Sequence, residues 1–141
     1  MSELEFSSIK ILIVDDDPLN LSMLEEELRD AGYETVTAMN GLDGLEALKE
    51  FDATLILLDL SMPEMTGYEA TAAIRALDDK IVNNIPIVAL TADVFQETKD
   101  RVMSSGFNNY VTKPFKSDVL YNTIVLHLGE SRKWIAEQKA L

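Results

Sequence analysis

Short apolar runs alternate with stretches of helical period along most of the chain. Ile11–Val14, between Lys10 and the acidic Asp15-Asp16-Asp17, is apolar at every position. A run of that length with those flanks predicts a strand buried on both faces. After Pro18, Leu21, Leu24, Leu28 and Ala31 recur at helical spacing until Gly32 stops them. Thr35–Ala38 is β-prone, and Leu42, Leu45 and Leu48 suit a second helix. Thr54–Leu58 predicts another buried strand, ending at Asp59. Pro63 and Gly67 punctuate a loop, and Ala70, Ile74 and Leu77 mark a third helix. Asn83-Asn84-Ile85-Pro86 reads as a turn before the strand Ile87–Leu90, which closes on Thr91. Val94 to Ser105 has a weak helical stripe halted by Gly106, and Tyr110–Thr112 is a short strand halted by Lys113-Pro114. Ser117 is placed to cap a last helix with Leu120, Ile124 and Leu128 on one face, and Gly129 is expected to end it.

Strands and helices thus alternate strictly, five of each. Parallel neighbours need crossover connections, so this order predicts one parallel sheet with helices on both faces. Ligands of such sheets gather at the carboxyl ends of the strands. No repeat or linker divides the chain. We expect residues 1–8 to be an N-terminal extension, residues 9–129 one domain, and residues 130–141, which include Trp134, a C-terminal extension.

The 141 residues are enough to bury a core without a disulfide or structural metal, and there is no cysteine to supply either. The balance of 47% hydrophobic and 26% charged residues is that of a globular protein. No apolar run is long enough to cross a bilayer and the N-terminus is acidic, so a cytoplasmic protein without membrane insertion is expected. The net charge of −13 opposes binding to nucleic acid. Residues 1–64 hold 16 acidic and 3 basic side chains, whereas residues 65–141 hold 9 of each. All the excess negative charge therefore lies in the first half, as a solvated acidic face or as a cation site.

The predicted strand ends favour the cation site. They carry Asp15-Asp16-Asp17, Asp59, Thr91 and Lys113, so carboxylates, a hydroxyl and an ammonium group converge on one rim. Crowded carboxylates repel one another, and a hard divalent ion relieves the repulsion. Magnesium suits such a set, taking one or two carboxylates and completing its shell with water and phosphate oxygens. A lysine opposite that ion is poised to bind a phosphoryl group. The carboxylate between them is then a candidate nucleophile that forms an acyl phosphate.

Four segments carry a resemblance to a known family. They are Ile11-Leu-Ile-Val-Asp-Asp-Asp-Pro-Leu-Asn20, Leu57-Leu-Asp-Leu-Ser-Met-Pro-Glu-Met-Thr-Gly67, Pro86-Ile-Val-Ala-Leu-Thr-Ala92 and Tyr110-Val-Thr-Lys-Pro-Phe115. Together, over about residues 8–128, the chain resembles the receiver domains of response regulators in two-component phosphorelays. The resemblance implies a doubly wound, flavodoxin-like sheet of strand order 2-1-3-4-5 with five helices. It makes Asp59 the phosphoacceptor, with a phosphohistidine of a histidine kinase or histidine phosphotransfer domain as donor. Asp15, Asp16 and Asp59, with the backbone carbonyl of Ser61, would hold Mg2+ or another divalent cation such as Mn2+. Lys113 would pair with the phosphoryl group, Thr91 would bond it, and Tyr110 would change rotamer on activation. Ser61 and Asp93 would border the path of the hydrolytic water. The face of the fourth helix, fifth strand and fifth helix would signal to a partner or form a homodimer. Such a domain phosphorylates and dephosphorylates itself and is not a turnover enzyme. It stands alone or forms one segment of a larger protein such as a hybrid kinase.

Other readings of the same residues fit less well. Asp15 and Asp17 form an Asp-x-Asp after the first strand, as in aspartate-nucleophile phosphatases, but only Thr91-Ala-Asp93 stands where a second acidic pair is needed. A flavin carrier would need a phosphate-cradling loop where this chain has three aspartates, and a degenerate receiver would lack part of the acidic, threonine or lysine set. Asp17, just before Pro18, reads as a cap of the first helix. His127, the single histidine, reads as a packed or surface residue and not as a phosphodonor. The Lys113–Pro114 peptide is expected to be cis, because a tight turn must aim the lysine back at Asp59.

Overall fold

The computed structural model describes residues 9–139, with side chains as far as residue 128. The strands are β1 (Lys10–Val14), β2 (Glu34–Ala38), β3 (Leu55–Asp59), β4 (Ile87–Thr91) and β5 (Asn109–Thr112). The helices are α1 (Pro18–Asp30), α2 (Gly41–Ala47), α3 (Gly67–Arg75), α4 (Gln96–Ser104) and α5 (Ser117–Lys139), with a 3-10 turn at Val82–Asn84. All pairings are parallel, in the order β2-β1-β3-β4-β5. The expected α/β fold and strand order are both present.

The continuous apolar runs are strands whose two faces are both covered. Leu12, Val14, Ile56, Leu58 and Ala89 lie in one core cluster with Ala70, Ile74 and Val102 of α3 and α4. Ile11, Ile13, Leu55, Leu57 and Leu90 lie in the other, with Leu21, Leu24 and Leu28 of α1 and Leu120, Ile124 and Leu128 of α5. Burying each such side chain contributes roughly 1.5–3 kcal/mol, so the central strands are the most firmly held part of the chain. Register then aligns their carboxyl ends. Val14 pairs with Leu58, Asp59 with Leu90, and Thr91 with Thr112. Residues one step beyond these pairs are brought to a common rim.

Local chemistry sets the helix starts. Asp17 caps α1 by accepting the Leu19 N–H at 2.9 Å, with Pro18 in the first turn. Asn40 accepts the Asp43 N–H at 2.8 Å, and Thr66 with Glu69 forms a reciprocal capping box on α3. Gly67, which opens α3, is required by close approach. A Cβ there would lie 2.4 Å from the backbone oxygen of Asp59. That contact lets α3 start directly against the end of β3.

Four expectations are corrected. The fourth helix begins at Gln96, because the Asp93 carboxylate accepts the Phe95 N–H at 2.8 Å and holds residues 93–95 as a turn. Leu77 lies beyond the C-cap of α3 and is exposed, so it is not part of that helix's buried stripe. Ser117 is the first residue of α5 and does not precede it as a cap. Gly129 does not end α5, which continues to Lys139. An interior glycine costs about 1 kcal/mol relative to alanine, and the good helix formers Glu130, Arg132, Lys133 and Ala136 offset it. The expected extension 1–8 and the side chain of Trp134 lie outside what is described. The Lys113–Pro114 peptide is cis, as expected. Among the described residues, no helix is long and apolar enough to cross a membrane.

Candidate functional site

The rim at the carboxyl ends of β1, β3, β4 and β5 gathers the residues singled out in the sequence. Asp15 follows β1 and is completely buried, Asp59 ends β3 at 4% exposure, and Thr91 ends β4, also buried. Lys113 follows β5 and spans the first two. Its ammonium nitrogen lies 2.9 Å from Asp15 Oδ2 and 3.3 Å from Asp59 Oδ1. Asp16 stands on the solvent side. One carboxylate oxygen from each of Asp15, Asp16 and Asp59 lies within 4.8 Å of the other two.

Backbone donors fix the carboxylates. Asp15 Oδ1 accepts the Asp17 N–H at 3.0 Å, and Asp59 Oδ1 accepts the Ser61 N–H at 3.2 Å. Each bond closes a tight turn of the chain two residues on, just after its strand. Burial, followed by the negative charge of Asp15, pushes the Asp59 carboxyl from 3.8 up to about 6, although Lys113 and the Ser61 N–H pull the other way. Burial alone would lower the Lys113 pKa. Asp15 and Asp59 together outweigh it and hold the ammonium above its ordinary range. The site therefore carries more negative charge than its one cation neutralises.

The β4–α4 loop borders the rim. Thr91 Oγ1 accepts the Asp93 N–H at 3.0 Å. Asp93 is tied down in turn: one oxygen accepts from Phe95 N–H and the other from the Thr98 hydroxyl at 2.7 Å. These bonds hold its carboxyl below the usual range. A cavity of about 300 Å³ opens here, lined by Ser61, Thr66, Tyr68, Thr91, Asp93 and Arg101 among others. Tyr110 on β5 is half-buried against the core, with the Lys99 ammonium 5.6 Å from its ring centre. Ser61 is exposed next to Asp59.

His127 is remote from this chemistry in kind. It is buried on α5, and its Nε2 lies 3.1 Å from the Asn109 side-chain nitrogen, which makes it a packing residue as expected. A larger cavity of about 840 Å³, between α2 and α3, holds none of the strand-end residues. Sequence reasoning missed Lys99, Arg101, Tyr68 and Thr98. Arg101 lies 3.8 Å above the Tyr68 ring, which meets Phe107 edge-on at 5.8 Å. None of these contacts has a local signature, because each joins residues from different elements or loops.

Comparison with known proteins agrees with the geometry. The family profile described as response regulator receiver domain matches residues 11–125. The chain is 40% identical over 130 residues to hybrid signal transduction histidine kinase B of Dictyostelium discoideum, covering 85% of this chain and 7% of that protein. It is 32% identical over 121 residues to the polar-differentiation response regulator DivK of Brucella anthropi, covering 86% of this chain and 97% of that one. Among solved structures, the receiver domain of a sensor histidine kinase from Pseudomonas aeruginosa PAO1 superposes with a TM-score of 0.78 at 32% identity. That match covers 87% of this chain and 99% of that domain, which was solved with a magnesium ion coordinated in its active-site cleft. Relatives thus include a regulator of similar length and kinases of which this chain spans a small part. On its fold, its strand-end residues and these matches, the chain belongs to the response regulator receiver domains of two-component signalling.

Proposed function

We propose that the chain accepts a phosphoryl group on Asp59 from a phosphohistidine, in a reaction that depends on a divalent cation. The observation that carries this reading is the Lys113 ammonium bridging Asp15 and Asp59, with Asp16 beside them. Asp59 is buried, and its described bonds to Lys113 and the Ser61 N–H both fall on Oδ1, which leaves Oδ2 for in-line attack on phosphorus. The phosphorus–nitrogen bond of the donor breaks, and its electron pair leaves with the imidazole. Lys113 binds the transferred oxygens, and the Thr91 hydroxyl, at the end of the strand that pairs with β3, bonds them.

The donor set fits a hard cation. The three clustered groups are carboxylates, and Asp15 Oδ2 has no described partner except Lys113. Asp15, Asp16 and Asp59, with the Ser61 carbonyl, would hold magnesium or manganese. Such an ion supplies charge neutralisation for the phosphoryl oxygens. Ser61 and Asp93 border the approach of the water that later cleaves the acyl phosphate. The domain is on this reading a cytoplasmic signalling switch and not a turnover enzyme. Its donor is a histidine kinase or histidine phosphotransfer domain. Thr91 and Tyr110 couple the phosphoryl group to the face formed by α4, β5 and α5, where a downstream protein or a second copy docks. Val94, Phe95 and Met103 are exposed at α4 and Val119 on α5, in keeping with protein contact there.

Incubation with acetyl phosphate and magnesium, followed by intact-mass spectrometry, tests the reaction. One phosphoryl group should be added, and Asp59→Asn should abolish it. Labelling that persists in excess EDTA would remove the cation, and labelling of Asp15 would overturn the assignment of the nucleophile.

A further inference from the structure

Helix α4 is weakly anchored for an element that borders the site. Val102 is its one buried residue, and its N-cap, Phe95, has no side-chain capping bond and is 71% exposed. Besides the Thr98 hydroxyl bonded to Asp93, two cation–aromatic contacts tie it to its neighbours. Lys99 reaches β5 with its ammonium 5.6 Å from the Tyr110 ring centre, and Arg101 lies 3.8 Å over Tyr68 of α3. The two clasps pull toward opposite neighbours. They also differ in permanence. Tyr68 is braced edge-on by Phe107, whereas Tyr110 is the half-buried aromatic that the switch reading sets in motion. Lys99 is itself half-buried.

We infer that Lys99 is a positioning residue for the switch: its ammonium over Tyr110 holds the ring in the rotamer of this structure, the outward one on the switch reading, and ties that rotamer to the seating of α4. A ring turned toward Thr91 leaves the cation without its aromatic partner. The inward state is therefore disfavoured by the worth of one cation–π contact, which at a partly exposed site is about two- to fivefold in the rotamer equilibrium. Phosphorylation must overcome that bias, and in doing so it releases α4 on the β5 side only. The Arg101–Tyr68 clasp remains, so α4 would pivot about it and not detach. This inference rests on the proposed Thr91–Tyr110 switch.

The test compares the full chain with Lys99→Met, which keeps the apolar stem and removes the charge, and with Lys99→Arg, which restores a cation. Amide and ring resonances of Thr91 and Tyr110 are recorded free and saturated with beryllofluoride, a phosphoryl mimic. In free Lys99→Met they should lie along the line toward the saturated position, with the inward-to-outward ratio raised about two- to fivefold, and in Lys99→Arg they should return to the wild-type position. In a Tyr110→Ala background, Lys99→Met should leave the Thr91 amide and the rate of labelling by acetyl phosphate unchanged. If wild-type resonances move with beryllofluoride but Lys99→Met keeps the wild-type ratio, Lys99 has no such role. An equal effect in the Tyr110→Ala background overturns it as well, since the charge would then act on the site directly. If wild-type resonances at Tyr110 do not respond to beryllofluoride, the switch reading fails and this inference fails with it.

Discussion

Asp59→Asn should stabilise the metal-free protein at neutral pH and not at acidic pH. The perturbation removes one negative charge from a buried site that has more carboxylate than cation. Asp59 titrates near 6 in the folded chain against 3.8 when unperturbed, with burial and the charge of Asp15 as the causes. A folded pKa above the unfolded value means that the native state holds the proton more tightly. The contribution to stability is then fully present below about pH 3.8 and is lost as pH rises through about 6. A displacement of that size corresponds to about 3 kcal/mol at pH 7.5, of which about half is already lost by pH 5. Asn carries no charge at any of these pH values, so the variant escapes the loss. Its net worth includes the broken contact with Lys113, already counted in the raised pKa, and relaxation of the loop will trim the figure to about 1–3 kcal/mol.

Urea unfolding of both proteins in EDTA, at several pH values from 5 to 8, measures this directly. The stability gap in favour of Asp59→Asn should widen by about 1 kcal/mol or more across that range, with a gain in Tm of roughly 2–10 °C at pH 7.5. On the proposed cation site, magnesium should close the gap, because it would bind the wild-type carboxylates and stabilise that chain by mass action. A gap independent of pH would refute the electrostatic account and leave only packing. A variant less stable than wild type at pH 7.5 would show that Lys113 more than compensates the crowding.

Three further outcomes follow from other parts of the molecule. The Arg75 guanidinium donates to the carbonyls of Gly106, Asn83 and Ile85 and to the Asn108 side chain at 2.7–3.0 Å; Arg75→Met strands those acceptors and should cost about 2–4 kcal/mol in urea unfolding. Glu64 has a φ of 69°, the left-handed region that favours glycine, so Glu64→Gly should stabilise by about 0.5–1 kcal/mol in thermal unfolding, and a loss would mean that its side chain holds the loop. If Asp93 borders the water path as proposed, Asp93→Leu should slow decay of the acyl phosphate about three- to thirtyfold, followed as phosphate release after donor removal with Asp93→Ala as control; unchanged decay would put the water path elsewhere.

Most of this architecture was legible because parallel strands covered on both faces must be apolar at every position. Ile11–Val14, Leu55–Leu58 and Ile87–Leu90 have no polar residue to blur their period, and the polar residue that follows each is then conspicuous. The site was legible for the same reason, since aligned parallel strands deliver their last residues to one rim. Helix ends were read less well. Val94 and Phe95 satisfy an apolar pattern but are 63% and 71% exposed, because a side chain two residues upstream turns the backbone before the helix starts. Gly129 breaks local propensity but not the helix, which continues on either side of it. The contacts of Lys99, Arg101 and Thr98 left no trace in the sequence. Cations and hydroxyls on a polar helix are ordinary, and only the placement of α4 against β5 and α3 gives them partners.

The rim is also where the chain departs most from the rules that fold it. Buried Asp15 and Asp59 stand together with one shared ammonium, an arrangement that hydrophobic residues of the same size would replace without loss of stability. The repulsion they store is also the driving force for a cation, since an ion that neutralises two carboxylates gains what folding lost. Lys113 cannot substitute for that ion, because it already serves both carboxylates. On the proposed reading it would stay beside Asp59 once that carboxylate is phosphorylated, and would there meet the added charge. The loop that would respond on that reading is held by single hydrogen bonds, from Asp93 N–H to Thr91 and from Thr98 to Asp93, and not by buried side chains. Each such bond is worth about 1 kcal/mol, within reach of one charge-assisted bond from Thr91 to a phosphoryl oxygen. The sheet thus fixes the strand-end groups, while α4 beside them has a single buried residue, Val102, and is the element that the proposed switch would move.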